Sequence, residues 1–155
     1  MALTVLTQGV AFHLPGNPLL ITYRGTDPAA GAEISEAVPA GKIWEVQAIT
    51  FILVTDGTAA SRHPVITLDN GADILAKVIQ GAGGAQTAST TWRHSFFIGA
   101  DSVAITSGSA ENSTNAAFPK ITLGPGYRIR TVSEGIVAGD NYAAPVFCVL
   151  EYDLP

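Results

Sequence analysis

Arg128 and Arg130 are the side chains whose type and spacing stand out most in this chain. They lie two residues apart in Tyr127-Arg-Ile-Arg-Thr-Val132, so a strand would point both guanidinium groups to one face. A planar guanidinium pairs with carboxylates better than a lysine does. The pair therefore reads either as a solvated strand face or as a carboxylate contact between subunits. The other candidates for chemistry are weaker. His13, His63 and His94 occur in no His-x-His or His-x3-His spacing, and no Cys-x2-Cys is present, so no metal site is expected. The segment Asp69-Asn-Gly-Ala-Asp73 has the beginnings of a calcium loop but lacks the later bidentate Glu. Turn chemistry accounts for each of its residues.

No carboxylate pair suggests itself for glycoside hydrolysis, which needs two such groups facing one cleft. There is no Gly-x-Ser-x-Gly elbow and no phosphate-binding loop; Gly81-Ala-Gly-Gly84 is not followed by a helix. The sequence thus predicts a non-enzyme without cofactor or metal. Trp92, Tyr127 and Tyr142 remain as a stacking platform for a sugar ring, a second way in which the chain would bind something.

Those side chains need a scaffold, and the scaffold reads as all-β. Lys42 to Thr55 is a long run of β-branched, aromatic and aliphatic residues without Gly or Pro. It follows the Val38-Pro-Ala-Gly41 corner and stops at Asp56-Gly57. Trp44, Val46 and Ala48 alternate with Glu45 and Gln47, which predicts one wet face. From Ile49 to Val54 nearly every residue is apolar, which predicts a strand covered on both faces. Arg62 to Leu68 is a strand in which Pro64 suggests an edge or a bulge. Asp69-Asn70-Gly71 is a hairpin signal, so Asp73 to Ile79 is read as the returning strand, although its apolar spacing also fits a helix. Further strands are expected at 86–98, 102–106, 127–132 and 144–154, with a polar loop over 107–117. About eight strands with Gly/Pro-rich turns give an antiparallel β-sandwich, jelly-roll-like, with an immunoglobulin-like sandwich as the alternative. Residues 34–155 form this domain. Residues 1–33 read as an extended N-terminal arm, with Leu19 to Tyr23 as a candidate strand. Leu6, Phe12 and Leu14 would make the arm sticky, as a contact to a neighbouring molecule or as a first strand on the chain's own sheet.

Composition narrows the function classes. Of 155 residues, 14% are charged and 47% hydrophobic, with a net charge of −5. Mean hydropathy is +0.30. So few charges suit a surface buried against other subunits. No basic run exists to track phosphates, and no apolar run reaches the ~18 residues that cross a membrane. Neither nucleic acid nor membrane is therefore expected as a partner. Cys148 is the one cysteine, read as a small core residue, and the fold does not rest on an internal disulfide. The first residues lack the pattern of a signal peptide, so synthesis and folding in a cytoplasm are expected.

Three segments carry a resemblance. They are Val38-Pro-Ala-Gly-Lys-Ile-Trp44, Leu123-Gly-Pro-Gly-Tyr-Arg-Ile-Arg130, and Ala138-Gly-Asp-Asn-Tyr-Ala-Ala-Pro-Val146 with the Glu151-Tyr152 ending. Over roughly residues 37 to 153 the chain resembles small β-sandwich virion structural proteins of tailed bacteriophages and prophages. The resemblance implies a capsid decoration (cement) protein, often trimeric, made in the host cytoplasm and located in the virion. Its partners would be further copies of itself and the major capsid protein or another virion protein. No catalytic residue comes with the family; the arm, which lies outside the resemblance, the basal loops and Arg128 with Arg130 are the candidate contacts. The alternative is a carbohydrate- or receptor-binding module of a head or tail appendage.

Overall fold

The computed structural model describes residues 18–79, 85–101 and 112–154, together with the backbone of residues 5–6, 9–10 and 103–105. Fourteen strands occur among the described residues. The first two, β1 (Val5–Leu6) and β2 (Gly9–Val10), form a two-stranded antiparallel sheet. Then follow β3 (Leu19–Arg24), β4 (Ser35–Ala37), β5 (Lys42–Val54), β6 (Val65–Asp69), β7 (Ile74–Ile79), β8 (Thr91–Ile98) and β9 (Val103–Ile105). The chain ends with β10 (Asn112–Phe118), β11 (Thr122–Leu123), β12 (Arg128–Thr131), β13 (Asn141–Tyr142) and β14 (Val146–Asp153). No helix is present among the described residues.

The other twelve strands divide between two sheets that face each other across one core. The larger runs β3-β14-β5-β8-β10-β9 and the smaller β4-β12-β6-β7. Take the eight strands β3, β4, β5, β6, β7, β8, β12 and β14 in chain order. The larger sheet then holds the first, eighth, third and sixth, and the smaller holds the second, seventh, fourth and fifth. Every neighbouring pair among these eight is antiparallel. This is the strand order of a jelly roll. Strands β9 and β10 extend the larger sheet beyond it, and β10 runs parallel to β8, a departure from a wholly antiparallel sandwich.

The long strand β5 is paired on both sides over most of its length. β14 covers Lys42 to Thr50 on one side and the short β13 takes over at Leu53 and Val54. On the other side β8 covers Ala48 to Val54, and the short β11 takes Trp44 and Glu45. The two-residue strands exist because buried peptide groups at the centre of a sheet must find partners.

A bulge changes the phase of β5. Cys148 opposes Ala48 while Val149 opposes Val46, so Gln47 is the extra residue. Trp44 and Val46 face the core before it, and Ile49, Phe51 and Leu53 after it. The run from Ile49 to Val54 is therefore not covered on both faces. Its alternate residues, Thr50 and Ile52, are half-buried on the outer face, and Val54 is exposed there. Cys148 is likewise half-buried on the outer side of β14 rather than in the core.

Three other expectations are revised. Leu19–Arg24 is a sheet strand paired along its length with β14, so the sandwich takes in residues assigned to the arm. The expected polar loop contains β10, whose Thr114, Ala116 and Phe118 point inward at alternate positions. Its inward side chains are mostly small and its outward ones mostly polar, which hides the period-2 signal. Pro64 lies just ahead of β6, an interior strand paired with both β12 and β7. Asn70-Gly71 does turn the β6–β7 hairpin: Asn70 Oδ1 accepts from the Ala72 and Asp73 amides at 2.9 and 2.6 Å, and Gly71 has φ 93°.

Candidate contact site on the outer face of the smaller sheet

Strand β12 alternates strictly. Ile129 and Thr131 face the core, so Arg128 and Arg130 face outward, as their spacing predicts. The same alternation puts Thr67 and Asp69 of β6 on that outer face, with Asp69 directly opposite Arg128 and Thr67 opposite Arg130. The Arg128 Nε donates to Asp69 Oδ1 at 2.8 Å, and the Arg130 Nε donates to Oδ2 at 2.6 Å. Gly71 N also donates to Oδ1, at 2.9 Å. Burial by itself would raise the Asp69 carboxyl; the two guanidinium groups and the Gly71 amide override that and hold it below the usual carboxylate range.

The carboxylate is almost sealed, whereas the arginine side chains remain 40% and 35% exposed. Each arginine uses its Nε alone on Asp69; no described residue bonds to the terminal amino groups. Beside them Thr67 is fully buried, and its hydroxyl has no hydrogen-bond partner. On β4 the residues facing Arg128 and Arg130 are Ala37 and Ser35, both small and exposed, so nothing bulky screens the arginines from that side. On β7, Lys77 opposes Thr67, and Ile74, Leu75 and Ile79 are exposed.

A second surface lies on the outer face of the larger sheet. Across one row run Thr22, Cys148, Ala48, Phe97 and Ala117. Val54, Phe97 and Val146 are each more than a third exposed, and Leu20 is 66% exposed. Between Ala48 and Val54 the charges on this face are Arg24 and Arg93.

The remaining predicted residues fall elsewhere. Leu6 is in β1, and its side chain, with Phe12 and Leu14, lies outside the described residues. The stacking platform needs correction. Trp92 is 7% exposed and packs on His94, with ring centroids 6.2 Å apart. Tyr142 is 1% exposed, edge-on to Phe51, with its hydroxyl bonded to Ser133. Neither offers a ring face to a ligand, because each fills the interior; Tyr127 is half-buried against the same core. His94 is buried too: Nε2 meets Gln86 Oε1 at 3.1 Å, Nδ1 meets Thr114 Oγ1 at 3.3 Å, and burial lowers its pKa to about 4. No group of three metal-ligating side chains occurs among the described residues.

Sequence reasoning missed one cluster altogether. Arg62 is fully buried, and all five of its donors are bonded. Nε and Nη2 hold Asp140 in a fork, both at 2.9 Å; Nη2 also reaches Asp56 at 3.0 Å. Nη1 donates to the carbonyls of Thr58 and Ala60 at 2.9 and 2.8 Å. Burial would raise the Asp140 carboxyl, but Arg62 with the Val137 and Asp56 amides holds it low. No local pattern around Arg62 announces partners on a loop 78 residues away.

No family model matches the chain, and no curated protein does. Among solved structures it is similar to a chain of the T13 IBDV viral particle, at 12% identity and a TM-score of 0.40. It is also similar to a chain of the infectious bursal disease virus Gx strain, at 13% identity and a TM-score of 0.35. The two alignments cover 99% of this chain, and 40% and 45% of those chains, so it spans less than half the length of either.

Proposed function

We propose that this chain is a virion structural protein without catalytic activity. In its finer form the reading is a trimeric decoration protein of a tailed bacteriophage. Its arm, through Leu6, Phe12 and Leu14, and its basal loops bind the capsid shell, whose major protein is the partner. The observation that carries the reading is the outer face of the larger sheet. There the exposed Val54, Phe97 and Val146 lie with the half-buried Ala48 and Ile52 in a weakly charged, largely apolar surface. Exposed contiguous apolar surface on a folded domain marks an interaction site. The sequence resemblance to phage decoration proteins supplies the rest of the reading.

Light scattering on the purified chain is expected to give a trimer, and the chain is expected to co-sediment with emptied or expanded capsids. Ile52→Glu with Val146→Glu places two charges on the face while leaving the core untouched; trimer and capsid binding should both be lost. A clean monomer without affinity for capsids would end the proposal. The sugar-binding alternative has lost its support, because Trp92 and Tyr142 are interior.

A further inference from the structure

We infer that Arg128 and Arg130 form a carboxylate receptor filled by an acidic side chain from a second copy of this chain. This rests on the reading of the chain as a self-assembling structural protein and names the chemistry of one of its contacts. Three features carry it. First, the arginines are already oriented: Asp69, almost sealed from solvent, holds both Nε atoms, at 2.8 and 2.6 Å. A fork that is fixed before binding loses less freedom when a carboxylate arrives. Second, the terminal amino groups of both arginines have no acceptor among the described residues. A carboxylate across the two forks supplies charge-assisted acceptors to both arginines.

Third, the charge distribution selects a copy of the same chain. Arg128, Arg130 and Lys77 are three of only eight lysines and arginines, and they cluster around the one carboxylate of Asp69. The chain as a whole carries −5, so its remaining surface is acidic. Asp27, Asp73, Asp101 and Glu134 are exposed on that surface. A basic face meeting an acidic one elsewhere on an identical molecule is a heterologous contact, and it gives a ring such as a trimer when its rotation closes.

The test is sedimentation velocity on the full chain, run beside co-sedimentation with capsids. Asp69→Asn/Arg128→Gln/Arg130→Gln removes the site without stranding a buried charge. Circular dichroism and a thermal melt verify that it folds. Self-association should weaken by about tenfold or more. Arg128→Lys/Arg130→Lys keeps the charge but loses the fork, and should also weaken association. In an Asp69→Asn/Arg128→Glu/Arg130→Glu background, reversing one of Asp27, Asp73, Asp101 or Glu134 to Arg should restore it. Unchanged association of the folded triple variant overturns the inference while leaving the structural role intact. A wild-type monomer that binds capsids through these arginines assigns the carboxylate to the shell and overturns the second-copy source. A monomer that binds no capsid overturns the functional reading as well.

Discussion

Two arginine–carboxylate clusters use the same chemistry to different ends. Arg62 sits at one end of the sandwich with no exposed surface, and each of its five donors meets an acceptor. Arg128 and Arg130 lie on an outer sheet face, and each spends one donor on a shared carboxylate. A saturated guanidinium has nothing left to offer a partner; its role is to tie loop 56–62 to loop 137–140. An unsaturated pair held in place by a buried carboxylate keeps its outward edge available. Donor satisfaction separates the two roles more sharply than residue type does.

The largest effect should come from the saturated cluster. Arg62→Leu leaves Asp140 buried without its cation, and losing one partner of a buried pair costs about 3–5 kcal/mol. Urea unfolding at neutral pH measures it, and a loss below about 1 kcal/mol would put Arg62 on a par with a surface pair.

The next effect concerns another interior group with both polar atoms engaged, His94. Burial lowers its folded pKa to about 4, below the ordinary imidazole value of 6.5, so the unfolded chain binds a proton before the folded one does. The stabilisation is complete above about pH 6.5 and declines as pH falls toward 4. At the low end the loss is on the order of 3 kcal/mol. The lowered carboxyls of Asp69 and Asp140 add further loss below their unfolded range. Unfolding free energies at pH 7 and pH 4.5 should therefore differ, and His94→Gln should flatten that difference. An equal slope in the variant would remove His94 from the account.

Gly135 lies beside the Arg62 cluster with φ 75°, and an added Cβ would come within 2.2 Å of the Ser61 carbonyl oxygen. Gly135→Ala should cost roughly 1–3 kcal/mol from backbone strain, with a further steric contribution, visible as a lowered melting temperature. At the small end, Arg130→Gln leaves Asp69 with Arg128 and the Gly71 amide. Because Arg130 is about a third exposed, its stability cost should stay under about 1 kcal/mol. A larger loss would mean that the surface pair is structural after all, and the contrast between the clusters would disappear.

Local signals were legible where one face of one strand was enough to read them. The outward pairing of Arg128 with Arg130 follows from a two-residue spacing, and the β6–β7 turn follows from Asn70-Gly71. The long strand was legible as a strand, but its bulge was not. Gln47 looks like any wet residue until β14 shows that it has no partner. The expected full burial of Ile49 to Val54 failed for a different reason: Ile52 and Val54 are apolar side chains on the outer face, and apolar character alone does not show that a face is covered. Trp92 and Tyr142 were open to misreading as a binding platform because an aromatic side chain carries no mark of which sheet face it occupies.

The amino-acid sequence by itself determined the strand content, the turns, the absence of a local catalytic or metal-binding motif and the low charge, since each is set by neighbours a few residues apart. Only the tertiary structure decided which charges meet. Arg62 finds Asp140 across 78 residues, and Arg128 finds Asp69 across 59. Such pairs depend on strand order and register, which a periodic pattern does not encode. The same long-range pairing seals some polar groups inside and leaves others facing out.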